Sequence, residues 1–375
     1  MAGIYIHIPF CRQKCYYCDF YKTVNTSLTG SFINALLKEL TLRKNYIEGE
    51  KIETIYFGGG TPSVLNKEEL QQIISFLNNT FDIVSDVEIT LEANPDDLLP
   101  DYLEMLSRSG INRLSIGIQA FQNEHLKKMN RRHNVQQAVQ SVENAALTGF
   151  KNISLDLIYG LPELTSKQWN EALCQVFALP FQHLSAYHLT YHKGTPFYAW
   201  LKNGKLREIS ENESVEQFNM LIDTAEMYGF EQYEISNFAK NFMYSKHNSS
   251  YWSGKKYIGG GPSAHSFNGN ERQWNISTLE SYIHAVENGL PYFETEQLSE
   301  NEKFNEFILI RLRTKWGISI SETEQKFGKE KTGFVEKELN KYQKSGFIKE
   351  HENRFSFTRE GMFISDKILS NLMFV

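Results

Sequence analysis

Three of the chain's four cysteines, Cys11, Cys15 and Cys18, fall within "CRQKCYYC", spaced C-x3-C-x2-C. Thiols crowded this way in a long chain suit a metal centre and a reducing cytoplasm better than a disulfide framework. A [4Fe–4S] cluster usually takes four thiolates, and structural zinc also takes four ligands. Three thiolates leave one iron free to bind something else. Two plainer readings fit the same residues. Positions i, i+4 and i+7 share a helix face, so the three could be core, and zinc with the nearby His7 is a second option. Phe10, Tyr16, Tyr17, Phe20 and Tyr21 surround the thiols and would exclude water from a cluster.

Such a loop needs elements to hold it. Short β-branched and aromatic runs alternate with amphipathic stretches along the first half of the chain. The strand candidates are Ile4–Ile8, Glu53–Gly59, Val87–Ala93, Arg113–Gln119, Ile153–Gly160 and His183–Thr190. Helices are expected over Ser31–Leu40 with Ser31 as cap, Lys67–Leu77 with Asn66 as cap, Pro100–Ser109, and Val135–Leu147 stopped by Gly149. Six such units predict an α/β fold, a partial (β/α)6 TIM-like barrel whose site lies at the C-terminal ends of its strands. The thiol loop follows the first strand and so lies at that edge. "GGGTP", Gly58–Pro62, ends the second strand, where glycines let a backbone approach a ligand, or simply turn tightly. Asp156 is a lone charge inside "ISLDLIYG", costly unless it is paired or lines a cavity. Cys174, in "EALCQVF", reads as core of a helix.

Regularity is lost after about Pro196. The division expected is 1–200 for the barrel, 201–294 for an extension, and 295–375 for a small C-terminal α+β domain with a winged-helix-like order of elements. The hairpin of that domain should turn near Glu352 and Asn353. A net charge of −6 provides no global field for nucleic acid or an anionic membrane. No apolar run approaches the roughly 20 residues of a spanning helix. "MAGIYIHIPF" enters a strand directly with no secretion signal, so a cytoplasmic protein is expected, with at most peripheral membrane contact.

"YIHIPFCRQKCYYCDF", "YFGGGTPS", "LEANPDD", "RLSIGIQAF" and "LDLIYGLP" occur in this order along the chain. In this it resembles the radical S-adenosylmethionine (SAM) superfamily, and within it the anaerobic coproporphyrinogen III oxidase group and its heme-chaperone relatives. The resemblance implies that Cys11, Cys15 and Cys18 hold a [4Fe–4S] cluster whose open iron is chelated by SAM. It also implies SAM contacts from Tyr5, from Gly59, Gly60 and Thr61, and from Glu92, Gln119, Arg131 and Asp156. Their chemistry suits the ligand: carboxylates accept from an ammonium or a ribose, and an arginine clamps a carboxylate in a fork. Arg131, in "NRRH", also reads as a solvated helix end.

The resemblance further separates a carrier from an oxidase. The oxidase carries a fourth cysteine where this chain has Phe20, and a longer leader before its first strand. "KHNSSYWSG", Lys246–Gly254, contains the HNxxYW signature of the heme-binding relatives. That implies heme as cargo, with His247 on iron, Tyr251 and Trp252 flanking the porphyrin, and Lys246 on a propionate. Packed aromatics around a structural histidine are the alternative. His7, His188, His192 and His265 are further candidates to line the same cavity. The expected function is a heme chaperone delivering to an acceptor protein such as a respiratory enzyme, with a homodimer also allowed. The alternative is oxygen-independent oxidative decarboxylation of coproporphyrinogen III to protoporphyrinogen IX.

Overall fold

Alternation along the first strand sets two faces. In the computed structural model, which describes residues 1–374, Ala2–Ile8 (β1) buries Ile4, Ile6 and Ile8 on one side, and Tyr5 and His7 project to the other. Five further strands follow in parallel order: Ile52–Gly59 (β2), Ile83–Ala93 (β3), Arg113–Gln119 (β4), Ile153–Tyr159 (β5) and His183–His188 (β6). Parallel neighbours require crossovers, and helices Thr29–Arg43, Lys67–Thr80, Pro100–Arg108, Val135–Leu147 and Ser166–Phe177 supply them. This is the partial TIM-like barrel the sequence predicts.

The helix starts follow from local chemistry. Asn66 with Glu69, Asn134 with Gln137 and Thr165 with Gln168 each form reciprocal capping boxes. Ser31 does not cap. The first helix already begins at Thr29, and no side chain caps it. Cys174 also departs from expectation. The helix Ser166–Phe177 buries Trp169, Ala172, Leu173, Val176 and Phe177, and Cys174, one step past Leu173, turns outward and is exposed.

The sheet extends past the six parallel strands at both edges to twelve strands. Phe230–Gln232 (β7) and Asn237–Lys240 (β8) add antiparallel beyond β6. At the other edge Tyr257–Gly260 (β9) runs parallel to β1, followed antiparallel by His265–Phe267 (β10), Glu271–Asn275 (β11) and Phe293–Gln297 (β12). A buried ion pair locks this second edge. Glu39 and Arg43 on the first helix pair at 2.7 Å. Glu39 accepts from the Gly261 N–H, Asn275 and Tyr282, and Arg43 donates to the Gly259 carbonyl, Ser266 and Gln273. These partners offset much of the desolvation cost of the buried pair, although Arg43 Nε has none, and they hold the added strands in one register.

The C-terminal residues have their own core, built on Phe304, Ile308, Leu312, Val335, Leu339 and Phe355. Helix Glu300–Leu312 leads to a short strand Ile318–Ser319, then to Ile320–Lys344, which is broken at Gly328 (φ 81°, ψ 174°). The hairpin Ile348–His351 and Arg354–Phe357 turns through Glu352 and Asn353, both left-handed at φ 51° and 60°. This is a winged-helix order of elements. No helix among the described residues is long and apolar enough to cross a membrane.

Candidate functional site at the mouth of the barrel

The thiol loop leaves the C-terminal end of β1 and is tied down on several sides. The Cys11 N–H donates to Thr23 O at 2.9 Å, and the Tyr16 N–H to Met129 O at 3.1 Å. Gln13 donates to Asn130 O at 2.9 Å, and Asn130 returns a bond to Lys14 O at 2.8 Å. Asn130 reaches this position in a left-handed conformation, φ 60°. The Phe197 N–H, at the start of helix Pro196–Lys202, donates to Tyr16 O at 3.1 Å. Lys22 Nζ donates to Cys18 O at 2.8 Å. A loop fixed in this way presents its thiols without paying ordering entropy when a metal arrives.

Two thiols already have donors. Thr61 Oγ1 donates to Cys11 Sγ at 3.2 Å, and Arg131 Nη1 to Cys15 Sγ at 3.3 Å. Burial pushes the Cys11 thiol up, the Thr61 bond pulls it down, and the nearby Cys15 and Cys18 add to the rise. Arg131 Nη2 donates to Asn94 Oδ1 at 2.5 Å and to Gly117 O at 2.8 Å, while its buried Nε has no partner. Arg131 is therefore no solvated helix end. The Gly-rich turn packs as tightly as its composition suggests, but against protein. A Cβ at Gly59 (φ 100°) would lie 2.5 Å from the His7 ring, and one at Gly60 would lie 2.6 Å from Phe10 O.

Beneath the loop the lumen is lined by polar side chains. Glu92 accepts from Tyr56 OH at 2.8 Å and from the Gly59 N–H at 3.2 Å. Burial, with the charge of Asp156 adding, pushes the Glu92 carboxyl up to about 7. Asp156 accepts from Ser115 at 3.2 Å, and burial pushes it up to about 6 against the pull of Arg113, Ser115 and Ser185. Tyr5 OH is hydrogen-bonded to His7 Nδ1 at 3.2 Å. Gln119 ends β4 in a left-handed conformation, φ 64°, a costly geometry that clusters at functional positions. Three thiols on one loop, an arginine with an unpaired N–H and two carboxylates that a cation would ionise are donor types that suit an iron–sulfur cluster and SAM, although among the described residues no three such groups converge as the ligands of a single metal ion would.

Sequence reasoning missed Asn94 and Ser115, and gave Tyr17 only a place in the aromatic shell around the thiols. Tyr17 lies within the fields of Arg131, Cys15, Cys18 and Asp156. Asn94 holds the arginine fork, and its only signal was its place in "LEANPDD".

The HNxxYW segment forms the short helix Lys246–Trp252 and sits at the opposite, N-terminal end of the strands. His247 is 1% exposed, with its ring nitrogens hydrogen-bonded to Thr54 Oγ1 and Tyr251 OH, both at 2.8 Å. Its backbone N–H donates to Glu88 at 3.1 Å, and its ring stacks on Tyr56 at 5.0 Å. Burial, with Arg113 nearby, pushes the imidazole down to about 3. Lys246 pairs with Asp86 at 3.3 Å, and Trp252 keeps a buried Nε1 without a partner. Of these residues Tyr251 alone borders the large cavity, about 930 Å³, which runs from Tyr5 and His7 past Phe20 to helix Glu300–Leu312. His7 and His265 line that cavity. His188 and His192 do not: His188 bonds Leu189 O and Ser214, and His192 pairs with Asp19 at 3.1 Å.

Residues 5–173 match the model of the radical SAM superfamily, and residues 298–364 match that of the HemN C-terminal domain. The heme chaperone HemW of Bacillus subtilis is 35% identical over 98% of this chain and 98% of its own. That of Lactococcus lactis is 36% identical over 86% of this chain and 84% of its own. Among solved structures, the radical SAM enzyme coproporphyrinogen III oxidase (HemN) of Escherichia coli shares the fold, with a TM-score of 0.86 over 99% of this chain and 90% of its own at 24% identity. Identity of that degree along the whole length, over a barrel and thiol loop built as described, means that this chain belongs to the HemW family within the radical SAM superfamily.

Proposed function

We propose that this protein is a heme chaperone that holds a [4Fe–4S] cluster and SAM and passes heme to an acceptor protein. The carrying observation is the pinned thiol loop beside two buried carboxylates and an arginine with one N–H left unpaired. The heme part of the reading comes from the names of the full-length relatives. A cluster of this kind supplies, when bound, an open iron for the amino and carboxyl groups of SAM and a source of single electrons.

The chain's own residues do the rest. Cys11, Cys15 and Cys18 are the ligands, and Thr61 and Arg131 donate to two of the thiolates. Gly59, Gly60 and Thr61 present backbone to SAM, while Tyr5, Glu92, Gln119 and Asp156 line its lumen side. Deprotonated Glu92 and Asp156 meet the positive charge of SAM, and Arg131, whose Nε N–H has no protein partner, supplies it to the ligand's carboxylate. Tyr251 faces the heme, and His247 fixes the Tyr251 hydroxyl from behind, with Trp252 beside it. The three segments, 1–200, 201–294 and 295–375, act respectively as cofactor barrel, closing edge and cargo-side wall. The acceptor, a respiratory enzyme among the candidates, meets a cytoplasmic protein that acts as monomer or homodimer.

The test is product analysis without oxygen. Reconstituted protein with SAM, reductant and coproporphyrinogen III should release no CO2. The same protein should bind about one heme per chain and surrender it to an apo-hemoprotein. Release of two CO2 per porphyrinogen with no heme binding would establish the oxidase instead, the second reading that the shared fold supports.

A further inference from the structure

We propose that the 930 Å³ cavity between β1, β9–β10 and helix Glu300–Leu312 is the heme seat, with His265 as the axial iron ligand and Lys303 and Lys326 as the partners of the propionates. This rests on the heme-chaperone reading and goes beyond it by naming the ligand and the wall.

The volume lies at the upper end of the roughly 300–1,000 Å³ typical of small-molecule sites, as a tetrapyrrole requires. The walls are aromatic: Tyr21, Tyr251 and Tyr257 on the barrel side, Phe307 and Phe327 on the C-terminal side. Phe20 stands at the rim, 65% exposed, a large apolar surface left without a partner in the free protein. A flat hydrophobic macrocycle would cover it.

Iron needs an imidazole nitrogen that is free and neutral. Two histidines line the cavity. His7 is committed, with its ring nitrogens bonded to Tyr5 OH at 3.2 Å and Tyr21 O at 3.3 Å. His265, on β10, is exposed, and its ring makes no hydrogen bond among the described residues; Trp274 flanks it at 6.4 Å. Partial burial and the nearby Arg272 push its imidazole down, which favours the neutral form. His247 lacks both accessibility and a spare nitrogen.

Two carboxylates of heme need cations. Lys303 and Lys326 rise from the two helices of the C-terminal wall, Lys326 over the Phe307 ring at 5.0 Å. The acidic groups on the lining already have partners: Glu306 with Arg272 at 2.6 Å, Glu300 with Lys303 at 3.1 Å, and Asp19 with His192 at 3.1 Å. Lys303 would exchange Glu300, which is largely exposed, and Lys326 would exchange Glu322, 3.1 Å away, each for a propionate.

Ferric heme titrated into the full-length protein, followed by absorbance, tests the assignment. His265→Ala should move the Soret band and weaken binding at least tenfold, and added imidazole should restore the band. Lys303→Glu with Lys326→Glu should weaken heme at least tenfold but leave heme dimethyl ester, which has no free carboxylate, unaffected. If wild-type protein binds heme and His265→Ala keeps its spectrum and affinity, the assignment is overturned and the chaperone reading stands. If the wild-type protein binds no heme, both fall.

Discussion

Glu92 carries the most informative charge in the molecule. Its folded carboxyl titrates at about 7 against an ordinary 4.5, because burial opposes its ionisation. Between those values the folded state holds a proton that the unfolded state has lost. The stability Glu92 contributes is thus fully present below pH 4.5 and is lost as pH rises to 7, by roughly 3 kcal/mol. The difference in urea stability between wild type and Glu92→Gln should change by about that amount from pH 4.5 to pH 8, with wild type losing ground; a pH-independent difference refutes the assignment. The same ionisation favours a cationic ligand, so SAM should bind more tightly at pH 8 than at pH 5.5. At this scale much was legible. The crowding of three cysteines on one loop was legible from their spacing, and the need of Asp156 for partners from the cost of a charge in an apolar run. Asn94 and Ser115 were not, because an ordinary asparagine or serine acquires meaning only from the charge it ends up beside.

The elements show which local constraints hold the site open. Gly59 is left-handed, and the His7 ring occupies the space where a Cβ would sit. Gly59→Ala should therefore cost about 2–4 kcal/mol and displace His7, visible as a lower melting temperature and an altered His7 NMR shift; wild-type stability would contradict this. The helix Lys246–Trp252 plugs the far end of the barrel. His247→Ala would orphan Thr54 Oγ1 and leave a void under Tyr56, costing roughly 2–4 kcal/mol in a denaturation titration, and an unchanged midpoint would show that the plug bears no load. The six parallel strands could be read from β-branched runs and capping residues. The added strands β7–β12 could not, since they are three to five residues long and lie among glycines and aromatics without a clear period. The positions of β9–β12 are set by the Glu39–Arg43 network, whose members are distant in sequence. Of the HNxxYW helix the sequence showed the residues, not which end of the barrel they would close.

The molecule joins two cores through contacts that include an aromatic pair and ion pairs, and one of these, at Glu306, borders the proposed heme seat. Phe363 stacks edge-on against Phe218 at 5.1 Å, Arg359 pairs with Asp223 at 2.6 Å, and Arg272 with Glu306 at 2.6 Å. Exposed ion pairs are weak, so the aromatic contact should dominate. Phe363→Asp should loosen the C-terminal wall and expose the junction near Leu298 and Ser299 to limited proteolysis, with heme restoring protection; identical digestion of variant and wild type would refute this. The central claim, however, is a metal cube with one open corner at the barrel mouth. Anaerobically reconstituted protein, reduced and examined by electron paramagnetic resonance with and without SAM, tests it most directly. The account predicts a [4Fe–4S] signal that SAM perturbs and that is lost in Cys15→Ala. A zinc-containing protein without sulfide, or a cluster signal indifferent to SAM, would contradict it.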